Sequence, residues 1–325
     1  MRAPEFWKTN GVAATLLSPL GVLYGWSVRA RKARSHPFRP KARVVCVGNL
    51  TAGGSGKTPT AIALAHALAA RGRKIVFLSR GYGGSLRGPV LIDHAHHSPA
   101  QTGDEPLLLA VHGATIVARD REQGARFSER LDADIIVMDD GHQNFQIAKD
   151  VSLIVVDAQA GFGNGKLIPA GPLREPVAPG LARADGVVLM GDGRPPLGSF
   201  AGPILRARLV PTAPDALKGR SVFAFAGIGR PEKFFAMLRA LGANVLAAQP
   251  FPDHHRFTVF ELSALKESAQ KTGALLVTTE KDYVRLDPMA RHDIVPVPVH
   301  AAFNDISALG ALLDRIIGAG NLGRP

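Results

Sequence analysis

Short, nearly continuous apolar runs recur through most of the chain: 44–47 (VVCV), 74–79 (KIVFLS), 115–118 (TIVA), 134–138 (DIIVM), 152–156 (SLIVV) and 186–190 (GVVLM). Runs without polar alternation and rich in β-branched residues predict strands buried on both faces, as in a parallel sheet. Between them, 61–70 and 120–131 carry helical spacing and predict crossover helices. Residues 205–210 (LRARLV) predict a strand in a connector, bounded by Pro203 and Pro211. A second alternating unit opens at Ser221 and continues through 275–279 (LLVTT) and 294–299. No solenoid-type repeat or low-complexity tract interrupts the pattern.

The N-terminal pattern differs. Residues 11–28 (GVAATLLSPLGVLYGWSV) contain no charge, about the minimum length for a bilayer span, and Pro19 breaks the run. The basic stretch that follows carries Arg29, Arg31, Lys32, Arg34, Arg39, Lys41 and Arg43 and no acid. Apolar sequence flanked by basic residues predicts a membrane anchor with the basic side in the cytoplasm, and Tyr24 and Trp26 suit the interfacial belt. The alternative is a buried or solvent-bridging helix followed by a solvated linker. The expected organisation is an anchor helix over 1–28, a basic linker over 29–43, a phosphate-loop core over 44–204, a connector over 205–220 and a smaller α/β domain over 221–325.

Length and composition narrow this further. The chain has 325 residues, enough for two domains, and its net charge of +12 asks for an acidic partner such as a nucleotide or an anionic membrane. No aromatic-interleaved basic motif points to nucleic acid. The single cysteine, Cys46, rules out an intrachain disulfide framework and reads as a small buried hydrophobe.

The chemistry concentrates in VGNLTAGGSGKTP. An apolar run enters a glycine-rich turn, and Gly56-Lys57-Thr58 opens a helical segment. Main-chain amides of Thr51, Ala52, Gly53, Gly54, Ser55 and Gly56 can cradle phosphate at a helix N-terminus. Lys57 would reach the β- and γ-phosphates, and Thr58 would hold magnesium. Thr51 stands where the motif expects its first glycine. The predicted fold class is therefore α/β, a P-loop NTPase-like parallel sheet with a second, smaller α/β domain and an N-terminal membrane-associated helix.

Asp139 and Asp140 follow the strand 134–138, where a carboxylate beside a phosphate loop can hold a metal; the alternative is a solvated Asp-Asp-Gly turn, and the phosphate loop upstream favours the metal role. Asp104 and Glu105 could be first-turn acids favoured by the helix dipole. His254 and His255 in FPDHHRF, and Arg174 and Glu175 in GPLREP, stay open between surface and site on composition alone. Gly227-Ile228-Gly229 lacks a third glycine and reads as a strand-to-helix turn.

Taken together, the ordered segments VGNLTAGGSGKTP, SRGYGG, GDEP, DDGHQN, GPLREP, FPDHHRF and TTEKD, spanning about Val47 to Asp282, resemble the tetraacyldisaccharide 4'-kinases, which phosphorylate the lipid A disaccharide precursor of Gram-negative bacteria. The resemblance implies an ATP- and Mg2+-dependent kinase at the cytoplasmic face of the inner membrane. Its partners would be the lipid A disaccharide precursor and an anionic membrane surface, with no obligate protein partner. It implies Asp104 as the catalytic acid–base residue and His254 as its partner from the second domain, the two requiring domain closure. Thr58, Asp139, Asp140 and Glu175 fall on the metal side, and Arg80, Tyr82, Glu105, Gln143, Asn144 and Arg174 on the substrate side. DDGHQN departs from the usual DDGFQH: Asn144 can hydrogen-bond but cannot carry a proton. Two readings compete with the kinase: a membrane-localised P-loop ATPase or GTPase switch, and a structural adaptor stabilised by nucleotide. The absence of Asn-Lys-x-Asp after the loop argues against the GTPase version.

Overall fold

The computed structural model describes residues 4–318. It divides them into two compact units, one of residues 4–209 with 301–318 and one of residues 210–300. In chain order the strands are β1 (Arg43–Gly48), β2 (Ile75–Ser79), β3 (Val90–Leu91), β4 (Thr115–Val117), β5 (Ile135–Asp139), β6 (Val151–Asp157), β7 (Gly186–Met190), β8 (Ile204–Pro211), β9 (Ser221–Ala226), β10 (Asn244–Pro250), β11 (Leu275–Thr279), β12 (Ile294–Val297) and β13 (Val299–Phe303).

Nine strands form the larger sheet in the order β13-β8-β7-β6-β1-β5-β2-β4-β3. The pairs from β8 through β4 are all parallel, and β3 adds an antiparallel edge. Strand β1 is central, with β5 on one side and β6 on the other, so its C-terminal end delivers the glycine-rich loop between two strand ends. Side chains of β1 alternate between two cores: Val45 and Val47 pack with Leu64 and Leu68 of the helix Lys57–Ala69, and Val44 and Cys46 with Met138 and Ala125 on the opposite face. Fully burying a leucine stabilises by roughly 1.5–3 kcal/mol, so Leu64 and Leu68 fix the loop's helix to the sheet. Cys46 is fully buried, and burial pushes its thiol above the ordinary range, consistent with a packing residue.

The structure divides the chain differently from the sequence reading. Strand β8, expected as a strand within a connector, pairs with β7 and so belongs to the larger sheet, while the rest of the 205–220 stretch is turn and 3-10 helix. The smaller unit ends near residue 300, and the helix Ile306–Gly318 packs Leu312, Leu313 and Ile316 into the core of the larger one. Non-local strand pairing decides both points, and no local pattern encodes it. The smaller unit carries the parallel sheet β10-β9-β11-β12. Strand β10 (NVLAAQP) escaped notice because it is an edge strand of small and polar residues, half-exposed along its length.

No helix among the described residues is long and apolar enough to cross a membrane. The 11–28 segment breaks at Leu17 into the helices Val12–Leu16 and Ser18–Ala33, with Pro19 in the first turn of the second. One side of the second helix packs on the 163–173 loop. A Cβ at Gly25 would stand 2.6 Å from Leu167 Cδ1, and Lys166 Nζ donates to Ser18 Oγ at 2.8 Å. The other side leaves Leu20, Val22, Leu23 and Trp26 exposed. The basic linker is likewise not free: Arg39 pairs with Asp150 at 2.9 Å, and Phe38 lies under the Arg126 guanidinium.

Candidate active site

The glycine-rich loop takes its shape at two positions. Gly53 and Gly56 have φ of +108° and +90°, backbone that L side chains rarely adopt. A Cβ on Gly56 would also meet Met190 Cε at 3.0 Å, at the end of β7. Gly56 caps the helix Lys57–Ala69, leaving the first-turn amides without helical partners. The departure at Thr51 has a local cause. Thr51 forms an antiparallel bridge with Leu173, and Ala52 N donates to Pro172 O at 2.7 Å, so position 51 is extended and needs no glycine. Asn49 and Ser55, both buried, close the loop through Asn49 Nδ2 to Ser55 Oγ at 3.2 Å.

The helix's first turn meets the end of β5. Thr58 Oγ1 donates to Asp139 Oδ2 at 2.9 Å, while Asp139 Oδ1 is buried with no hydrogen-bond partner. Burial pushes the Asp139 carboxyl up to about 6, against the pull of Lys57. Asp140 has φ of +50° and a different setting. Arg174 Nη1 donates to both its oxygens, at 2.7 and 2.9 Å, and Lys57 Nζ lies 3.8 Å away. Burial opposes ionisation of Asp140, but Lys57 and Arg174 outweigh it and hold the carboxyl at about 2. The pair therefore splits: Asp140 is an ion-paired anion, and Asp139 offers an uncommitted oxygen. An orphaned carboxylate oxygen beside a threonine hydroxyl suits a hard divalent cation such as magnesium.

Glu175, expected on the metal side, is engaged by side-chain donors from the protein. It is buried, accepts two hydrogen bonds from Arg183 Nη2 at 2.9 and 2.8 Å, and accepts a third from Gln143 Nε2 at 2.9 Å. Gln143 Nε2 also donates to Asn49 O, which ties the turn after β5 to the loop after β1. Asn144 folds back on Gln146 through two hydrogen bonds, an Asx-type turn. His142 is buried between Ser152 Oγ and Gly180 O at 3.0 and 3.1 Å. Burial, with Lys149 and Arg183 adding to it, pushes its imidazole down to about 3, so it stays neutral.

Asp104 and Glu105 open the helix Asp104–His112, half-buried in its first turn. Gly103 precedes them because a Cβ there would meet Tyr82 O at 2.3 Å, which interlocks the GDEP and SRGYGG segments. Tyr82 and Arg80 are exposed in the latter. His254 lies in the smaller unit, at φ of +58°. Sequence reasoning missed Asn49, Arg183, Met190 and Arg121. Arg121 is a buried guanidinium pushed down to about 10 by burial and steadied by Asp140. Burial of a polar group singles out Asn49 and Arg121, whereas Arg183 and Met190 are marked only by what they touch in the fold.

A parallel sheet with a phosphate loop after its central strand, and an acid at the neighbouring strand end, defines a P-loop nucleotide-binding protein. A family model described as "Tetraacyldisaccharide-1-P 4'-kinase" matches residues 13–318, and the chain belongs to that family. It is 50% identical over 321 residues to a tetraacyldisaccharide 4'-kinase of Paramagnetospirillum magneticum, covering 97% of this chain and 99% of that one. It is 51% identical to one of Rhodospirillum rubrum, covering 98% of each. Among solved structures, the "apo" form LpxK from Aquifex aeolicus in complex with ATP is similar at 27% identity, with a TM-score of 0.74 over 93% of this chain and 99% of that one. The motif resemblance and the whole-chain comparisons agree.

Proposed function

We propose that this chain transfers the γ-phosphate of ATP to the 4'-hydroxyl of tetraacyldisaccharide 1-phosphate, the lipid A disaccharide precursor. The observation that carries the reading is the meeting of Thr58 with Asp139 at the helix end of the phosphate loop, where Asp139 keeps an oxygen without a partner. Phosphoryl transfer asks the protein for positioning and charge stabilisation rather than covalent help. Loop amides from Gly53 to Gly56 grip the phosphates, since the Ala52 amide expected among them is committed to Pro172 O, and Lys57, held beside Asp140, neutralises the charge that builds on them. Thr58 and Asp139 would hold a magnesium ion, which when bound neutralises the β- and γ-phosphate oxygens. Asp104 is assigned the proton of the attacking hydroxyl, a task open to an ordinary carboxylate because the proton leaves late in a loose transition state. His254 supports Asp104, and Arg80, Tyr82, Glu105, Gln143 and Arg174 serve the acceptor side. Glu175 and Asn144 act on the site through the turns they brace.

The membrane surface enters the same reading. The exposed apolar side of the Ser18–Ala33 helix, continued by Arg29, Arg31 and Lys32, suits a helix lying in an anionic interface rather than crossing it. The exposed apolar face and its basic continuation support the reading that the protein works at the cytoplasmic face of the inner membrane, beside its lipid acceptor.

The decisive experiment follows labelled γ-phosphate with and without tetraacyldisaccharide 1-phosphate. Label appearing on the 4'-oxygen supports the kinase. Label released to water whether or not acceptor is present would mean a nucleotide switch. Asp104→Ala should lower transfer by roughly 10²–10⁴-fold, the usual contribution of general base catalysis, while ATP affinity stays near the parent's.

A further inference from the structure

Within the smaller unit, a hydrogen-bonded chain runs from the TTEKD segment to His254. Asp282 is fully buried; its Oδ2 accepts from Gly227 N at 3.0 Å and from Thr279 Oγ1 at 2.6 Å. Its Oδ1 accepts from Arg285 Nη1 at 2.7 Å, and the same nitrogen donates to Gly227 O at 2.7 Å. The N–H and the C=O of Gly227 are thus both anchored by one buried ion pair. Gly227 O also accepts from His254 N at 3.1 Å. A side chain at 227 has little room, since a Cβ would stand 3.1 Å from Asp282 Oδ1 and 3.2 Å from Pro252 O.

His254 needs such anchoring. Its φ of +58° lies in a region sparsely used by residues other than glycine, and conformations of that kind persist where the surroundings over-determine them. The ring is addressed as well as the backbone. Arg285 Nη2 lies 3.4 Å from His254 Nδ1. A guanidinium has donors only, so Nδ1 is the acceptor in this contact. A neutral imidazole that accepts at Nδ1 carries its proton at Nε2. Asp253 Oδ2, 3.9 Å from Nε2, places negative charge on that same side.

We propose that Asp282 and Arg285 are positioning residues that fix the His254 backbone and select its Nε2–H tautomer, so that His254 presents a hydrogen-bond donor. The proposal rests on the reading that His254 takes part in phosphoryl transfer. An Nε2–H donor can orient a carboxylate or stabilise a phosphate oxygen, but it cannot take a proton at that atom. Proton acceptance from the sugar hydroxyl is thereby left to a carboxylate.

The test is long-range proton–nitrogen correlation on the 15N-labelled full-length protein at pH 8, with His254 assigned from the signals lost in His254→Gln. We expect an acceptor-type Nδ1 and a protonated Nε2. Arg285→Met, which removes every donor, should leave a mixture of tautomers and lower kcat by roughly 10–100-fold, the scale of a misplaced reacting group, with KM for ATP little changed. Arg285→Lys should restore part of both. A parent spectrum showing Nδ1–H or a mixture overturns the proposal by itself, even if Arg285→Met fails to fold. So does Arg285→Met with a pure Nε2–H tautomer and full turnover. If instead His254→Gln retains full turnover while the parent spectrum is as expected, the part of His254 in the reaction fails and the tautomer assignment stands.

Discussion

Thr58 and Asp139, 81 residues apart in the chain, are joined by a 2.9 Å hydrogen bond that ties the phosphate-loop helix to the end of a neighbouring strand. The bond satisfies one oxygen of a buried carboxylate and leaves the other for a cation. The site is therefore organised at the expense of folding stability, since an ionised carboxylate out of water is costly until a cation arrives.

That cost has a pH signature. Burial raises Asp139 from an ordinary 3.8 to about 6, so the folded state favours its protonated form. The stabilisation is full below about pH 4 and is lost as pH rises through about 6. Asp139→Asn keeps an acceptor for Thr58 and removes the charge. It should stabilise the nucleotide-free protein by about 1–3 kcal/mol at pH 8, with the gain vanishing below about pH 4. Denaturant unfolding at pH 4 and pH 8 measures this. The same variant should lose roughly 10²-fold or more in turnover, because the carboxylate proposed to hold magnesium loses its charge.

Gly56→Ala adds left-handed strain of about 1–2 kcal/mol and a contact with Met190. Gly53→Ala adds the strain alone, as no atom lies within 4 Å of its Cβ. Nucleotide binding should therefore fall further for Gly56→Ala than for Gly53→Ala. Adding Met190→Ala should recover part of the affinity in the first case and none in the second. Equal losses, or no recovery, would show that the contact is unimportant.

Arg183 pairs with the buried Glu175, whose carboxylate already accepts three hydrogen bonds. Arg183→Met strands that charge and should cost about 3–5 kcal/mol of stability. Glu175→Gln should be milder, and the magnesium concentration for half-maximal rate should stay close to the parent's. A several-fold rise in that concentration would place Glu175 on the metal after all.

Membrane attachment is best tested on exposed side chains. Trp7 Nε1 donates to Pro169 O and Gly25 packs on Leu167, so removing the N-terminal helices would also disturb the loop that pairs with Thr51. Leu23→Glu with Trp26→Glu should leave folding intact and reduce pelleting with anionic vesicles at least tenfold, as each charge opposes entry into the interface. Unchanged pelleting would refute the interfacial placement.

The sequence by itself determined the parallel core, the phosphate loop and the acids after β5, because these follow from local pattern. Uninterrupted apolar runs specify buried strands, glycines specify positive φ, and Gly56-Lys57-Thr58 opens a helix. It also exposed the odd residues, Thr51 and His142, without explaining them. Only the tertiary structure decided that Thr51 is held extended by Leu173, that His142 is a neutral buried bridge, and that β8 belongs to the larger sheet. Only it separated two adjacent aspartates into an ion-paired anion and a carboxylate with an oxygen to spare. Adjacent residues share a sequence neighbourhood, whereas charge state and hydrogen-bond supply are set by partners brought from distant parts of the chain, here Lys57, Thr58 and Arg174.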